Sequence, residues 1–346
     1  MSDYPKTIAN EAQLDELLDL PDQMLIDFMK RLEGDIAILG IGGKMGPTMG
    51  RLAVNAIKAA GVKKTVYGVS RFSNPEARQH LEDWGVKTIS CDLMDRDAVA
   101  KLPDFPNIVY MAGRKFGTGG TENLTWAMNV IIPTIVGERF RSSRITAFST
   151  GCVYPLIGPE TCGCTEETPL DPVGEYVQSC LGRERMFGYA SQTYGTKVLL
   201  FRLNYAIDLR YGVLHDIGRQ VWNDEPVTNS VGYFNVIWQG DANRIALLSL
   251  EQAASPAVPL NVTGPEIIKT EYIAERFAAI MGKKVTYTQP ESGCKCYLSN
   301  AAKAMRLYGY PRVSLDQMIA WQADWLMQGG RSLGKPTHFE VNNGKF

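Results

Sequence analysis

A chain of 346 residues is long for one compact unit and short for two large ones, so a dominant core with a smaller appended lobe is the expected organisation. Hydrophobic residues at 45% and charged residues at 21% give an ordinary globular balance that excludes disorder. A formal charge of −1 with no Lys/Arg run offers nothing to a polyanion, and no apolar stretch is long enough to span a bilayer, so neither nucleic acid nor membrane is an expected partner. The polar, acidic amino terminus and the odd number of cysteines, 7, argue against a secreted disulfide framework and predict a cytoplasmic protein with reduced thiols.

In chain order, Leu14, Leu17, Leu18, Leu25, Phe28, Met29 and Leu32 recur at helical spacings, interrupted at Pro21-Asp22. They predict two short helices within an amino-terminal extension, residues 1–34. Residues 35–40 read as a short buried strand, followed at once by glycines and by a helix over 47–60, with Pro47 suited to its first turn and Gly61 to its end. Further apolar runs at 65–69, 86–90, 108–111, 145–148 and 198–201 alternate with helix-compatible stretches, which predicts an α/β fold with a parallel sheet covered on both faces. Beyond residue 205 the rhythm becomes irregular, with a strand-like 260–262, a helix near 271–281 and a last helix near 315–326. The expected plan is a core domain over 35–204, a smaller α/β lobe over 205–330 interleaved with it at the carboxyl edge of the sheet, and a polar tail, 331–346, on the surface or on a neighbouring subunit.

Gly40, Gly43 and Gly46 form a G-x-x-G-x-x-G pattern, with Gly42 as a further glycine, directly between the first strand and its helix. A tight turn whose backbone must approach a pyrophosphate needs glycine there, and the free amides of the helix start face the charge. A lone glycine cluster can equally be a plain turn, but its place after the first strand favours a dinucleotide site of the Rossmann, doubly wound type. The second strand ends in Ser70-Arg71 with no carboxylate to receive the ribose hydroxyls. Arg71, with Lys44 in the glycine loop beside Met45, favours NADP and leaves NAD as the alternative; solvated surface charge is the competing explanation for both cations.

These residues and several later segments together resemble the extended short-chain dehydrogenase/reductase family, which contains many sugar epimerases and dehydratases. The likeness covers roughly residues 35–328. Cys91-Asp92-Leu93 is similar to the family's Asp-Leu pair, whose carboxylate receives the adenine amino group. Met111-Ala112-Gly113 falls where the family keeps small residues against the coenzyme, and Asn129 resembles its structural asparagine. Ser149-Thr150-Gly151-Cys152-Val153-Tyr154 resembles the Ser-Thr/Ser-x-x-Val-Tyr segment, which implies that Thr150 carries the orienting hydroxyl. Arg202-Leu203-Asn204, Asn261-Val262-Thr263-Gly264 and Val313-Ser314-Leu315 match later segments. Each match is short; their order and spacing carry the resemblance.

The resemblance implies a tyrosine that moves a carbinol proton while hydride passes to or from nicotinamide, assisted by a lysine four residues later. A phenol with a pKa near 10 is a poor base at neutral pH, so the nearby cation has a chemical purpose. Tyr176-Val177-Gln178-Ser179-Cys180 supplies the tyrosine and places cysteine where the lysine belongs. Three explanations stay open: another cation replaces it, with Lys115 first and Arg114 and Arg183 as alternatives; Tyr176 acts as a general acid with a raised pKa; or proton transfer is lost and only dinucleotide binding remains.

In the lobe, Phe234-Asn235 occupies the position where relatives acting on nucleotide sugars usually carry an arginine for the diphosphate, so a free sugar or sugar acid is the expected substrate. Cys152, Asn204, Tyr205, His215, Trp238 and Gln239 are the candidate contacts; His215 is equally well read as an acid-base group or as a hydrogen-bonded structural histidine. Two C-x-C pairs, Cys162/Cys164 and Cys294/Cys296, are closer than structural zinc sites prefer, and no metal is expected. The overall expectation is an NADP-dependent oxidoreductase, epimerase or dehydratase, a homodimer through helices near 122–140 and 174–190, with a non-catalytic dinucleotide sensor as the rival.

Overall fold

The computed structural model describes residues 4–115, 120–335 and 337–341. The outermost part of the predicted tail, 342–346, lies outside the described residues, as do 1–3 of the amino-terminal extension. Within that extension, helices Glu11–Leu18 and Gln23–Arg31 form because Asn10 and Asp22 cap their first turns, their side chains accepting from the Gln13 and Leu25 amides. Leu14 and Leu18 of the first are fully buried in the second lobe, while Leu25, Phe28 and Met29 of the second enter the main core. Each such burial contributes about 1.5–3 kcal/mol, so the extension bridges both parts of the molecule.

The central sheet has seven parallel strands. β1 (Ile36–Leu39), β2 (Val66–Ser70), β3 (Lys87–Ser90), β4 (Asn107–Tyr110), β5 (Arg144–Thr150) and β6 (Lys197–Leu203) are joined by Val258–Val262, which pairs with β6. The spatial order is β3-β2-β1-β4-β5-β6 and then the seventh strand. β1 is central, with Ile36 opposite both Val66 of β2 and Asn107 of β4. The chain therefore winds one way through β2 and β3, then returns to the other side of β1 at β4. That reversal opens a crevice at the carboxyl ends of β1 and β4, where ligands of open parallel sheets bind.

One face of the sheet is covered by Gly46–Ala60, Gln23–Arg31 and Gln239–Leu248, around Ile38, Met49, Leu52, Phe201 and Ile245. The other carries Ile132–Arg139 and Glu175–Tyr194, around Leu39, Tyr110, Ile135 and Phe187. Apolar runs buried on both faces explain why the strands read as continuous hydrophobic stretches. A separate core joins helices Val213–Trp222, Thr270–Met281 and Leu315–Met327 to the first amino-terminal helix. Trp238 lies at its centre, 1% exposed and 5.3 Å from the Trp321 ring, which corrects its expected place on the substrate wall. No helix among the described residues is long and apolar enough to cross a membrane.

Candidate active site

The glycine loop is built from backbone contacts that side chains would destroy. Gly40 has φ +89°, and a Cβ there would stand 2.6 Å from the Ala112 amide nitrogen after β4. At Gly46 a Cβ would meet the Ile41 carbonyl oxygen at 2.2 Å, whereas Gly43 faces only the Gly40 carbonyl of its own loop, at 3.5 Å. Gly46–Ala60 begins after Met45 with no side-chain cap, so its first amides are left to a ligand. A cradle of this shape, at the switch point of the sheet, fits a dinucleotide pyrophosphate.

Around it, Ser70 is half-buried and Arg71 exposed at the tip of β2, with no carboxylate there. Exposed Asp92 follows β3 and turns its carboxylate onto the Met94 amide at 3.0 Å, with Leu93 buried beneath. Met111, Ala112 and Gly113 follow β4, opposite Gly40. Lys44 departs from expectation. Its ammonium stands 3.2 Å from the centre of the Tyr211 ring in the second lobe rather than turning toward the tip of β2.

Thr150 closes β5. Its Oγ1 accepts from the Cys152 amide at 3.2 Å, which leaves the hydroxyl proton to donate elsewhere. The turn Gly151–Val153 packs on helix Glu175–Tyr194, whose start is set by Gly174 at φ +83°. Tyr176 sits in the first turn, one helical turn before Cys180, whose buried sulfur acts on its phenol. Burial, and then the Cys180 sulfur, push the phenol well above its ordinary pKa; Arg183 pulls it down.

Arg183 is 8% exposed and rigidly held: Nη1 donates to the Phe148 carbonyl at 2.9 Å and Nη2 to Asn129 Oδ1 at 2.6 Å. Asn129 is the hub of this region. Its Oδ1 also accepts from the Arg114 amide, and its Nδ2 donates to the Arg114 carbonyl and to Ser179 Oγ at 2.8 Å. It lies on a π-helical turn, Ala127–Ile131, the type of irregularity that re-aims a side chain at functional sites. Gly113 has to be glycine because a Cβ would come 2.2 Å from Arg183 Nη2. Of the sequence candidates, Arg183 lowers the Tyr176 phenol, while the ammonium of Lys115 donates to the Thr337 carbonyl at 3.3 Å and lies within electrostatic reach of Cys152 and Cys180.

Beneath these groups runs a buried polar chain. Ser149 Oγ donates to Glu184 at 2.5 Å, Glu184 accepts two bonds from Arg202, and Arg202 donates to the Tyr154 hydroxyl at 2.7 Å. Tyr154 donates to Asn261 Oδ1 at 2.8 Å. A buried ion pair with its remaining lone pairs satisfied locks the ends of β5 and β6 and the seventh strand in place.

The expected substrate contacts separate on inspection. Tyr205, at φ +42°, and Cys152 lie together near Tyr297 and Tyr211; burial first, then these neighbours, raise the Tyr205 phenol. Asn204 is 1% exposed, and its amide is engaged by Asn235 Oδ1 and the Tyr297 carbonyl. Gln239 is likewise buried, donating to Thr48 Oγ1 at 3.2 Å. His215 has both ring nitrogens occupied, by the Leu209 carbonyl at 2.9 Å and Ser332 Oγ at 3.0 Å. Asn204, Gln239 and His215 are thus all buried and hydrogen-bonded within the protein, Asn204 and Gln239 through their side-chain nitrogens. The C-x-C sulfurs also diverge, Cys164 toward the Pro155 carbonyl and Cys296 toward the Tyr233 amide; among the described residues no group of three or more His, Cys, Asp or Glu is placed to hold a metal. No motif marks Asp216, Tyr211 or Thr337, yet Tyr211 lies under the Lys44 ammonium and Thr337 is held by Asp216.

The sequence profile of the NAD dependent epimerase/dehydratase family matches residues 36–206. Comparison with curated protein sequences gives no match. Among solved structures, a mutant UDP-glucuronic acid 4-epimerase from Bacillus cereus, in complex with UDP-4-deoxy-4-fluoro-glucuronic acid and NAD, superposes with TM-score 0.70 at 18% identity, covering 85% of this chain and 99% of that one. A dTDP-glucose 4,6-dehydratase from Bacillus anthracis str. Ames in complex with NAD gives 0.70 at 17% identity, over 86% and 97%. A UDP-glucose 4-epimerase from Thermus thermophilus in complex with NAD gives 0.67 at 19%, over 84% and 98%. These likenesses establish the fold. The family match goes further: the segment 36–206, which holds the glycine loop, Thr150 and Tyr176, belongs to the NAD dependent epimerase/dehydratase family of enzymes.

Proposed function

We propose that the protein is an NADP-dependent epimerase, dehydratase or reductase that works by hydride transfer on a small hydroxylated carbonyl compound, a free sugar or sugar acid rather than a nucleotide sugar. The observation that carries this reading is the glycine cradle at the sheet's switch point with the Thr150 turn packed against the start of the Tyr176 helix. When bound, the nicotinamide supplies the hydride acceptor or donor. Gly40, Gly43, Gly46 and the first amides of Gly46–Ala60 hold the pyrophosphate, Asp92 the adenine and Ser70-Arg71 the ribose phosphate; Arg71 without a neighbouring carboxylate favours NADP, although NAD is the coenzyme in the three similar structures.

Thr150 donates its hydroxyl proton to the substrate oxygen and fixes it. Tyr176, kept protonated by burial and by the neighbouring Cys180 sulfur, gives its proton to a developing alkoxide and takes one from a carbinol only as pH rises. Arg183 supplies the positive charge that the family's lysine would, from a position it cannot leave. The preference against a diphosphate rests on Phe234 and Asn235, buried at 0% and 2%, where a guanidinium would be needed. Exposed Leu124, Ile131 and Tyr189, on the helices expected at a subunit boundary, support a homodimer.

The test is turnover. Purified protein incubated with NADP or NADPH and a panel of aldoses, ketoses and sugar acids should change the coenzyme absorbance, or convert one sugar into another, with at least one member. Tight coenzyme binding with no conversion across the panel would favour the sensor.

A further inference from the structure

After helix Leu315–Met327 the chain, described over 331–335 and 337–341, runs back along the second lobe and is pinned to it. The Leu333 amide donates to the Arg210 carbonyl at 2.9 Å, Ser332 Oγ meets His215 Nε2 at 3.0 Å, and the Thr337 N–H and hydroxyl both donate to Asp216 Oδ2, at 2.8 and 2.6 Å. Ser230 Oγ donates to the Glu340 carbonyl at 3.0 Å, and the Phe339 ring packs edge-on against Phe234 at 6.0 Å. Toward the coenzyme domain the same segment presents the Thr337 carbonyl, which accepts from Lys115 Nζ at 3.3 Å just past the end of β4. Beside it Lys44, from the glycine loop, lies over Tyr211, the residue after Arg210, with its ammonium 3.2 Å from the ring centre.

Lys44 and Lys115 thus reach from the loops after β1 and β4 across the crevice at the carboxyl ends of those strands. A dinucleotide cannot pass between groups in contact, so on this side the way to the glycine cradle opens only when these contacts part. An asymmetry decides where they part. The segment is held to the lobe by backbone amides and short side chains from several separate places, but to the coenzyme domain through a long lysine stem with many rotamers. Among its described residues only Thr337 and Phe339 are buried. A cavity of about 360 Å³ lies between it and helix Val213–Trp222, with His215, Asp216 and Arg219 on one side and Ser332, Phe339 and Glu340 on the other. A segment with few buried contacts and unfilled space beneath it sits at the low end of local stability, and it gives way where its hold is longest and most flexible, at Lys115.

We propose, resting on the coenzyme reading above, that the Thr337 segment is a latch over the dinucleotide cleft: the Lys115–Thr337 bond holds the lobe closed against the coenzyme domain, and its release sets the rate at which the coenzyme enters and leaves. Stopped-flow fluorescence of NADPH, mixed with the full-length protein and then chased with excess NADP, gives both rates. Lys115→Met removes the bond from the coenzyme side, and Asp216→Ala removes the anchor of Thr337 from the lobe side. Each should raise the association and dissociation rates together by about tenfold, with the dissociation constant kept within about threefold. The double variant should be no faster than either single one, because both break the same latch. Thr337→Val, which keeps the backbone bonds, should give a smaller rise in the same direction, and it decides the matter if Asp216→Ala does not fold. Faster dissociation in Lys115→Met with unchanged association, and with Asp216→Ala at the rates of the unsubstituted protein, would make Lys115 a coenzyme contact and overturn the latch. Unchanged rates in both variants would overturn it as well. Failure of the unsubstituted protein to bind NADPH or NADH would instead overturn the coenzyme reading; amide hydrogen exchange over 331–341 then decides the latch, with faster exchange in Lys115→Met supporting it and unchanged exchange overturning it.

Discussion

The two walls of the cleft are made by different means. The coenzyme wall is backbone: glycines that let Gly40 lie against Ala112 and Gly46 against Ile41, followed by helix amides with no side-chain cap. The wall facing it is side chain: Lys44 lies over the Tyr211 ring, Lys115 donates to the Thr337 carbonyl, and Tyr205 lies near Cys152 and Tyr211. A backbone wall tolerates almost no substitution but recognises a shape common to many enzymes. A side-chain wall is where one member of a family differs from the next.

Substitutions ordered by expected effect can break or sharpen that contrast. Tyr176→Phe removes the proton donor and should lower kcat by about a hundred- to ten-thousand-fold with coenzyme affinity intact, read by steady-state kinetics beside coenzyme titration. Gly46→Val forces a side chain onto the Ile41 carbonyl; coenzyme binding should be lost, and thermal unfolding should show a cost of about 1–3 kcal/mol. Arg183→Lys keeps charge but not the paired bonds to Phe148 and Asn129, so the rise of carbinol oxidation with pH should move to higher pH, the direction in which a less stabilised phenolate shifts. An unmoved pH profile would return the role to Lys115. Arg71→Ala should weaken NADP by about tenfold and leave NAD unchanged, measured by calorimetry. His215→Gln should lower the unfolding temperature while leaving kcat and KM close to those of the unsubstituted enzyme; a large loss of kcat would restore His215 to the chemistry.

The same contrast explains what the sequence discloses. Strands and the glycine loop are local patterns: Ile36–Leu39 is apolar throughout because it is covered on both faces, and Gly61 ends its helix in the left-handed region. Thr150 and Tyr176 follow from the order of short motifs. The substrate wall is not local. Trp238 and Gln239 lie beside a strand end and read as contacts, but tertiary packing turned one into the lobe's core and the other onto Thr48. Cys180 reveals a missing cation without naming its replacement, because what holds Arg183 nearby is Asn129, on a π-turn in another helix. The carboxyl-terminal segment has no periodicity at all, and its place emerges only from where Asp216 holds Thr337.

The central claim is that the glycine loop cradles a nicotinamide dinucleotide. Calorimetric titration of the unsubstituted protein with NADPH and NADH tests it most directly. The account predicts one coenzyme bound per chain, with NADPH held more tightly than NADH; absence of binding by either would contradict it.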